Sequence, residues 1–230
     1  MSAKQSDSQA ADSQAADSQT VAPQSVEPQS AGSLIQQAMI QQAFSDGIAL
    51  RQQCMADLPE VLLNAAAVMI ECLEQGGKIL ACGNGGSAAD AQHFAAELVN
   101  RFEINRPGLA AVALTHDASV ITSIANDFSF AQVFSRQVEA LGRRGDVLLA
   151  ISTSGNSENV VAAATAARAT GMKTIALTGG EGGGALGQSE DIHQHVNIAH
   201  HSTARIQEMH ITCLHILCSL IDKKLFGGTS

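Results

Sequence analysis

The chain has no tryptophan and no tyrosine, and aromatic residues make up only 3% of its 230 positions. A buried core must therefore be built from Ala, Leu, Ile and Val, whose compact side chains suit helices packed closely on a parallel sheet. Basic residues are also few, since 13 Lys and Arg against 22 Asp and Glu leave a net charge of −9 at pH 7. A nucleic-acid partner is therefore not expected, because such binders normally present a basic face.

Membrane and disulfide signals are missing as well. No run of apolar residues approaches the roughly 18 that would span a bilayer, and no apolar segment follows a basic N-terminus as in a secretory signal. The five cysteines form no CxxC pair, and most have apolar neighbours. They are Cys54, Cys72, Cys82, Cys213 and Cys218. We therefore expect reduced, buried cysteines in a cytoplasmic protein without a membrane partner.

Residues 1–32 differ in composition from the rest of the chain. They contain the repetitive stretch DSQAADSQAADSQT and two of the four prolines, Pro23 and Pro28. A segment so rich in Ser, Gln, Ala and Asp has too little apolar surface to offset the entropy lost on ordering. The sequence therefore predicts a disordered tail over residues 1–32 and a folded domain over 33–230, long enough to bury a sizeable core.

The rest of the chain begins with two helical patterns and then alternates short apolar strands with helices. Helices are predicted over Ser33–Gln53, Asp57–Gln75, Ser87–Phe102, Ser157–Thr170 and Thr203–Leu225, with two shorter ones in Ala118–Leu141. Strands are predicted over Lys78–Cys82, Leu109–Leu114, Asp146–Ile151, Lys173–Thr178 and Ile192–Ile198. Strands this apolar are buried on both faces, and the helices between them are crossover connections. The predicted fold is α/β, a doubly wound five-stranded parallel sheet flanked by helices, with an N-terminal helical extension.

Two loops at strand ends are the candidates for ligand binding, because such folds bind ligands outside the carboxyl ends of their strands. They are Gly83–Ser87 (GNGGS) and Ser152–Ser157 (STSGNS). Each leads into a helix, where free backbone N–H groups and the positive helix end converge. Either loop alone fits an ordinary turn and helix cap equally well. Two of them at corresponding strand ends favour a site for a phosphate or a sugar.

Other glycine patterns indicate no nucleotide site. The segment GNGGSA lacks the G-x-G-x-x-G spacing of dinucleotide-binding loops, and the lysine of the P-loop is absent. A third glycine-rich run, Gly179–Gly187, has no clustered hydroxyl groups, and its composition predicts a mobile loop.

Candidates for proton transfer or metal binding lie on two of the predicted helices. His93 and Glu97 are four residues apart, so they share one face of the helix that follows the first loop. Both residue types bind divalent metals and move protons near neutral pH. The last helix carries Gln207, His210 and His215. About 12 Å of helix rise separates Gln207 from His215, so both reach one metal only if it lies between them. His210 is the competitor of His215, and a surface pair and a core histidine are the plain structural alternatives.

Three segments, in order and at the expected spacing, resemble the phosphoheptose isomerase family. They are CGNGGSAADAQHFAAELVNRFEINRPGLAAVAL, IANDFSFAQVFSRQVEALGRRGDVLLAISTSGNSENVV and RIQEMHITCLHILCSLID, and the similarity runs from about Ser45 to the C-terminus. The resemblance implies the flavodoxin-like SIS (sugar isomerase) fold. It also implies conversion of sedoheptulose 7-phosphate to D-glycero-D-manno-heptose 7-phosphate, the first step toward ADP-heptose and the lipopolysaccharide core. Members of this family form homotetramers with active sites at subunit interfaces.

The resemblance further implies roles for individual residues. It implies substrate contacts at Gly85, Gly86, Ser87, Glu97, Asn126, Asp127, Ser152, Thr153, Ser154, Ser157 and Gln207. It implies one zinc ion per subunit, bound by His93, Glu97, Gln207 and His215. Glu97 takes the role of the base that forms an enediol, and His215 that of its acid–base partner. A carboxylate bound to zinc is a weaker base, so a catalytic and a structural metal are both compatible with the resemblance.

Two proteins without enzymatic activity are the alternatives. A relative of the same fold binds the bacterial replication initiator and regulates DNA replication, but it lacks the carboxylate and the imidazole found here at Glu97 and His215. Sugar-phosphate sensors of this fold normally carry a DNA-binding domain, and the tail over residues 1–32 is too polar and irregular to form one. The intact pair therefore favours the enzyme.

Overall fold

The computed structural model describes residues 31–227, and the chain divides into two units, Met1–Ile40 and Gln41–Ser230. Of the first unit, the described part is residues 31–40, which begin helix α1 (Ala31–Asp57). Almost all of the predicted tail over residues 1–32 lies outside the described residues. The boundary between that tail and a domain over 33–230 therefore stays a prediction.

The second unit contains a five-stranded sheet whose strands are connected mainly by helices. The strands are β1 (Ile79–Gly83), β2 (Ala111–Ala113), β3 (Val147–Ser152), β4 (Lys173–Gly179) and β5 (Gln194–Ile198). The helices that follow α1 are α2 (Pro59–Glu74), α3 (Gly86–Val99), α4 (Ala118–Asp127), α5 (Ser135–Leu141), α6 (Glu158–Thr170), α7 (Gly184–Gly187) and α8 (Thr203–Phe226), with a 3₁₀ turn at Phe130–Gln132. The five predicted strands are thus confirmed, with shifts of a few residues at their ends.

The strand order is β2-β1-β3-β4-β5, and every neighbouring pair is parallel. This is the flavodoxin-like, doubly wound order, so the predicted fold class is confirmed. The order reverses between β1 and β3, which are hydrogen-bonded neighbours with Gly83 paired to Ile151. The loops that follow these two strands therefore lie side by side at the point where such sheets bind ligands.

The sheet is buried on both faces, as its apolar strands predict. Along β3, Val147, Leu149 and Ile151 face a layer that includes α2, α3 and α8. Leu148 and Ala150 face the opposite layer, which includes α5 and α6. Small side chains bring α6 close to the sheet, since Ala163, Ala164 and Ala167 are fully buried. The core is thus built largely from aliphatic residues, which fits the scarcity of aromatic ones.

The glycine-rich run Gly179–Gly187 differs from the predicted mobile loop. Its first residue completes β4, and its last four form helix α7, in which Leu186 is fully buried. The amide of Leu186 donates to the carbonyl of Gly155, 2.8 Å away, and the amide of Ala185 donates to Asn156 Oδ1 at 2.9 Å. The prediction was wrong because the partners that order this run lie about thirty positions earlier, in the serine-rich loop.

All five cysteines are free and buried, as predicted. Burial raises the pKa of the Cys72 thiol to about 11 and that of Cys82 to about 12. These two thiols therefore stay protonated and unreactive near neutral pH. Within residues 31–227, no helix combines the length and hydropathy needed to cross a bilayer.

Candidate functional site

A pair of asparagines joins the loop after β1 to the start of α6. Asn84 Nδ2 donates to Asn159 Oδ1 at 2.8 Å, and Asn159 Nδ2 donates to Asn84 Oδ1 at 2.9 Å. Asn159 is only 2% exposed, so this exchange satisfies amide groups that water hardly reaches. The two predicted phosphate loops are therefore held to each other by paired side chains at the switch point of the sheet.

The serine-rich loop after β3 is closed by its own hydroxyl groups. Ser152 Oγ lies 3.1 Å from Ser157 Oγ and accepts a hydrogen bond from the amide of Gly155, also at 3.1 Å. Ser154 Oγ accepts from the amide of Asn156. Ser152 is buried, Thr153 and Ser157 are half-buried, and Ser154 is exposed. The hydroxyl groups of the loop thus range from buried, at the end of β3, to exposed to solvent.

The helices that follow the two loops begin without a side-chain cap. Ser157 occupies the N-cap position of α6 and Gly85 that of α3, and neither makes a capping hydrogen bond through a side chain. Helix α4 provides the contrast, because Asp117 accepts hydrogen bonds from the amides of Ser119 and Val120 at its start. The turn of the plain interpretation is thus present and Ser157 lies at the N-cap position, but the capping hydrogen bond is not made. Anion binding at the start of α6 stays a prediction, because α2, α5 and α8 also begin without a side-chain cap.

The start of α3 is in contact with a side chain from α8. A Cβ at Gly86 would lie 2.3 Å from Nε2 of Gln207, so the amide of Gln207 covers the helix start. The preceding Gly85 has φ of +56°, a left-handed value that favours glycine. Ser87 follows and is buried. Gly86 and Gln207 thus lie in contact, and the substrate contacts implied for Gly85, Gly86, Ser87 and Gln207 stay a prediction.

Three predicted site residues converge where α3 and α8 run side by side. His93 Nε2 lies 3.0 Å from His215 Nε2 and 3.2 Å from Glu97 Oε1. The His215 ring also stacks on Phe102, with 5.5 Å between ring centroids. His93 is exposed, and Glu97 and His215 are half-buried, so a ligand can approach all three. A carboxylate and two imidazoles in contact form an arrangement suited to proton transfer.

His210 is a core residue and lies outside this cluster. It is fully buried, and its Nε2 lies 2.9 Å from the carbonyl oxygen of Thr178. Burial lowers the pKa of His210 to about 4, so the imidazole is neutral at physiological pH. Of these two histidines of α8, a ligand can therefore reach His215, whereas His210 is enclosed in the core.

The four predicted zinc ligands fall into two groups. Gln207 contacts Gly86 at the start of α3, whereas His215, eight residues further along α8, contacts His93. Within residues 31–227, no group of three or more His, Cys, Asp or Glu side chains forms a ready metal site. His93, Glu97 and His215 nevertheless have the donor types that zinc takes in proteins. Ligation by Gln207 stays a prediction, because one subunit places its amide about 12 Å of helix rise from His215.

Asn126 and Asp127 lie at the end of α4, and both are exposed. Asn126 Nδ2 donates to Asp127 Oδ1 at 2.8 Å. In the described part of the chain, no hydrogen bond joins either side chain to the loop after β1 or to the serine-rich loop. Their substrate contacts stay a prediction that rests on the resemblance.

Two residues of the site were missed by sequence reasoning. Asn159 is one, since nothing in an Ala-rich helix indicates that its amide pairs with Asn84. Asp90 is the other. It lies on α3 between Ser87 and His93, and its Oδ2 is buried without a hydrogen-bond partner in the structure. Burial raises the pKa of Asp90, and the nearby His93 partly opposes this. The sequence does contain one indication of this, because Asp90 lies three residues before His93 and so shares its face of the helix.

Comparisons with known proteins identify the family of the chain. Residues 44–179 match the family model described as the SIS domain. A phosphoheptose isomerase of Aromatoleum aromaticum is 58% identical over 186 residues, covering 80% of this chain and 93% of that protein. A phosphoheptose isomerase structure from Neisseria gonorrhoeae has a TM-score of 0.76 at 49% identity, over 81% of this chain and 98% of that one. One from Francisella tularensis has a TM-score of 0.78 at 43% identity, over 82% and 98%. The chain therefore belongs to the phosphoheptose isomerase family of SIS domain proteins.

Proposed function

We propose that this protein isomerises sedoheptulose 7-phosphate to D-glycero-D-manno-heptose 7-phosphate, the first step of ADP-heptose synthesis for the lipopolysaccharide core. The observation that carries the proposal is the contact of His93 with both Glu97 and His215, at 3.2 and 3.0 Å. These residues stand on helices next to the paired loops of the switch point. A protein that only bound another protein or sensed a ligand would have no need of this acid–base cluster.

The phosphate of the substrate is bound by the two loops. The uncapped start of α6 supplies backbone N–H groups and the positive end of the helix, and the loop adds the hydroxyls of Thr153, Ser154 and Ser157. No Lys or Arg is required for this, which explains how an acidic protein binds an anion. The pairing of Asn84 with Asn159 keeps both loops in the geometry that the phosphate needs.

The carbonyl end of the sugar is placed at the acid–base cluster. From Gly86 to His93 helix α3 rises by about 10 Å. The six C–C bonds of a heptulose, each about 1.5 Å long, together with its phosphate ester, span a distance of the same order. Phosphate held between the starts of α3 and α6 thus leaves the C1–C2 end near His93, which contacts Glu97 and His215.

Proton transfer then moves the carbonyl from C2 to C1. Glu97 removes a proton from C1 and forms an enediol, and the same carboxyl group returns the proton to C2. His215 donates a proton to the oxygen on C2 and accepts the one on the oxygen of C1, so that no proton is gained or lost overall. His93 contacts both residues and fixes their positions relative to each other.

Zinc is the metal that this donor set fits. His93 Nε2 lies 3.0 Å from His215 Nε2 and 3.2 Å from Glu97 Oε1, close to the separation of ligands that each lie about 2.0–2.2 Å from one ion. His93, Glu97 and His215 would hold it, with Gln207 as the fourth ligand that the resemblance implies. When bound, zinc supplies a Lewis acid that stabilises negative charge on the sugar oxygens.

The active form is a cytoplasmic homotetramer with its active sites at subunit interfaces. An apolar groove of about 440 Å³ on the second unit supports self-association. It is lined by α1, α2 and α8, and includes the exposed side chains of Met55, Leu63 and Ile216. Light scattering on the purified chain measures the subunit number, and Leu63→Glu is expected to lower it. A monomeric wild-type protein would contradict the tetramer.

The function is tested by incubating the purified protein with sedoheptulose 7-phosphate and detecting the aldose 7-phosphate. The wild-type chain is expected to form the aldose until equilibrium is reached, and no product would contradict the proposal. Glu74→Gln is a suitable control, because this exposed carboxylate ends α2 near the opposite edge of the sheet and should leave turnover unchanged.

A further inference from the structure

Arg106 has a buried guanidinium in the loop between α3 and β2. Its side chain is 0% exposed, and its Nε donates to Oδ1 of Asp222 on α8 at 2.5 Å. The ring of Phe226, one turn further along α8, lies 5.8 Å from its Cζ. A charge so completely buried is retained only when partners satisfy it, and among residues 31–227 the partner of opposite charge is Asp222.

The remaining nitrogens of Arg106 bind backbone oxygens at the end of α3. Nη2 donates to the carbonyl of Glu97 at 2.9 Å, and Nη1 donates to that of Leu98 at 2.8 Å and to that of Pro107 at 3.0 Å. The carbonyls of Glu97 and Leu98 belong to the last turn of the helix, where they lack intrahelical partners. A positive charge is also favourable at this end of a helix.

The same guanidinium is therefore connected to both residues of the acid–base pair. It bonds the backbone of Glu97 itself, and on α8 it bonds Asp222, seven residues and about two turns after His215. We propose that Arg106 is a positioning residue that sets the separation of Glu97 and His215 by fixing the end of α3 against α8. This inference rests on the proposed function, because it assigns Arg106 a role in that reaction.

The fork of the guanidinium is needed for this role. Three nitrogens point in different directions, one to α8 and two to carbonyls of α3 and of the loop. A lysine ammonium is a single point charge and cannot hold these groups in one fixed geometry. Arg106→Lys is thus expected to keep the charge beside Asp222 while it loosens the end of α3.

Two variants and a control test the inference. Arg106→Lys keeps the ion pair, and the double variant Arg106→Met with Asp222→Leu replaces the buried pair by apolar side chains, a change that buried pairs often tolerate. The control is Asp146→Asn, which weakens the ion pair of this buried carboxylate with the half-buried Lys78, at the amino edge of the sheet away from the site. Circular dichroism and thermal unfolding establish that each variant is folded before kinetics are measured.

We expect kcat to fall by at least about tenfold in both Arg106 variants, since misplacement by about 1 Å costs up to about a hundredfold. KM should change by less than about threefold, because the phosphate loops are untouched. A crystal structure of the double variant should show His93 Nε2 and His215 Nε2 displaced from their separation of 3.0 Å. An unchanged kcat in folded protein, an equal loss in Asp146→Asn, or an unchanged separation would each overturn the inference. A wild-type protein that does not convert the ketose would refute the proposed function instead, and the crystal structure would still decide the role of Arg106.

Discussion

Asn84 and Asn159 exchange two side-chain hydrogen bonds, one in each direction, although 75 positions separate them in the chain. The exchange uses one donor and the acceptor of each amide, so neither side chain can be replaced without leaving the other unsatisfied. Since Asn84 precedes Gly85 and Gly86 of the first loop and Asn159 lies in the first turn of α6, the pair controls how the two loops meet.

Asn159→Ala is expected to weaken phosphate binding. The loss of one partner leaves the half-buried amide of Asn84 without its two hydrogen bonds and should reduce the free energy of unfolding by about 1 kcal/mol. The loosened loops should raise KM for sedoheptulose 7-phosphate more than they lower kcat. Steady-state kinetics and urea unfolding measure the two effects. Asn64→Ala on the exposed face of α2 serves as the control, and an unchanged KM would contradict the role of the pair.

Glu97→Gln should retain the phosphosugar but lose turnover by at least about 100-fold, the scale usual for an acid–base group. The amide has nearly the same shape as the carboxylate and cannot accept the C1 proton. Calorimetric titration with the ketose measures binding, and product formation measures turnover. Near wild-type turnover would remove Glu97 from the mechanism.

Substitutions of the two histidines of α8 should cause different defects, one in activity and the other in stability. His215→Gln is expected to be folded and inactive, because its imidazole contacts His93 in the exposed cluster. His210→Gln should instead alter stability, because its ring is buried against the carbonyl of Thr178. Unfolding curves and turnover of both variants decide between them. Full activity of His215→Gln would mean that another group provides the acid.

Stability should fall as the pH drops from 6.5 toward 4, with His210 as a main cause. Its folded pKa of about 4 lies below the ordinary 6.5, so the unfolded chain binds this proton more readily in that window. The contribution of neutral His210 to stability is therefore fully present above pH 6.5. Protonation of this residue in the unfolded chain should lower the free energy of unfolding by about 2 kcal/mol between pH 7.5 and pH 5. Urea unfolding at both pH values measures the loss, and His210→Gln should reduce it. The same pH dependence in that variant would point to other groups.

Zinc content offers a test that does not depend on turnover. The wild-type protein should retain about one zinc per subunit after dialysis, and His93→Ala should retain far less, because His93 contacts both other donors. Atomic absorption measures the metal. His201→Ala, an exposed histidine outside the cluster, is the control. Equal zinc in His93→Ala and the wild type would place the metal elsewhere.

The sequence predicted the features that depend on local pattern. The first four strands are short, mainly apolar runs and β5 is a weaker one, and the loops after β1 and β3 are marked by Gly, Ser and Asn, so strands and loops were predicted. The end of α3 was placed too late, at Phe102 instead of Val99. The reason is that Arg106 takes the carbonyls of Glu97 and Leu98, a contact that no local pattern reveals. The paired asparagines were missed because they too lie far apart in the sequence. The separation of Gln207 from His215 could be predicted, because it follows from counting residues along one helix.

The closeness of Gly155 to Gly183 limits how the enzyme can be re-engineered. A Cβ at Gly155 would lie 1.7 Å from the carbonyl oxygen of Gly183, and one at Gly184 would lie 2.4 Å from that of Ser154. On this side of the serine-rich loop the main chain packs directly against the main chain of the glycine-rich run, and the Asn156 side chain bonds the amide of Ala185. Libraries that aim at sugars of other lengths should therefore leave these glycines constant and diversify the exposed positions at the end of α4.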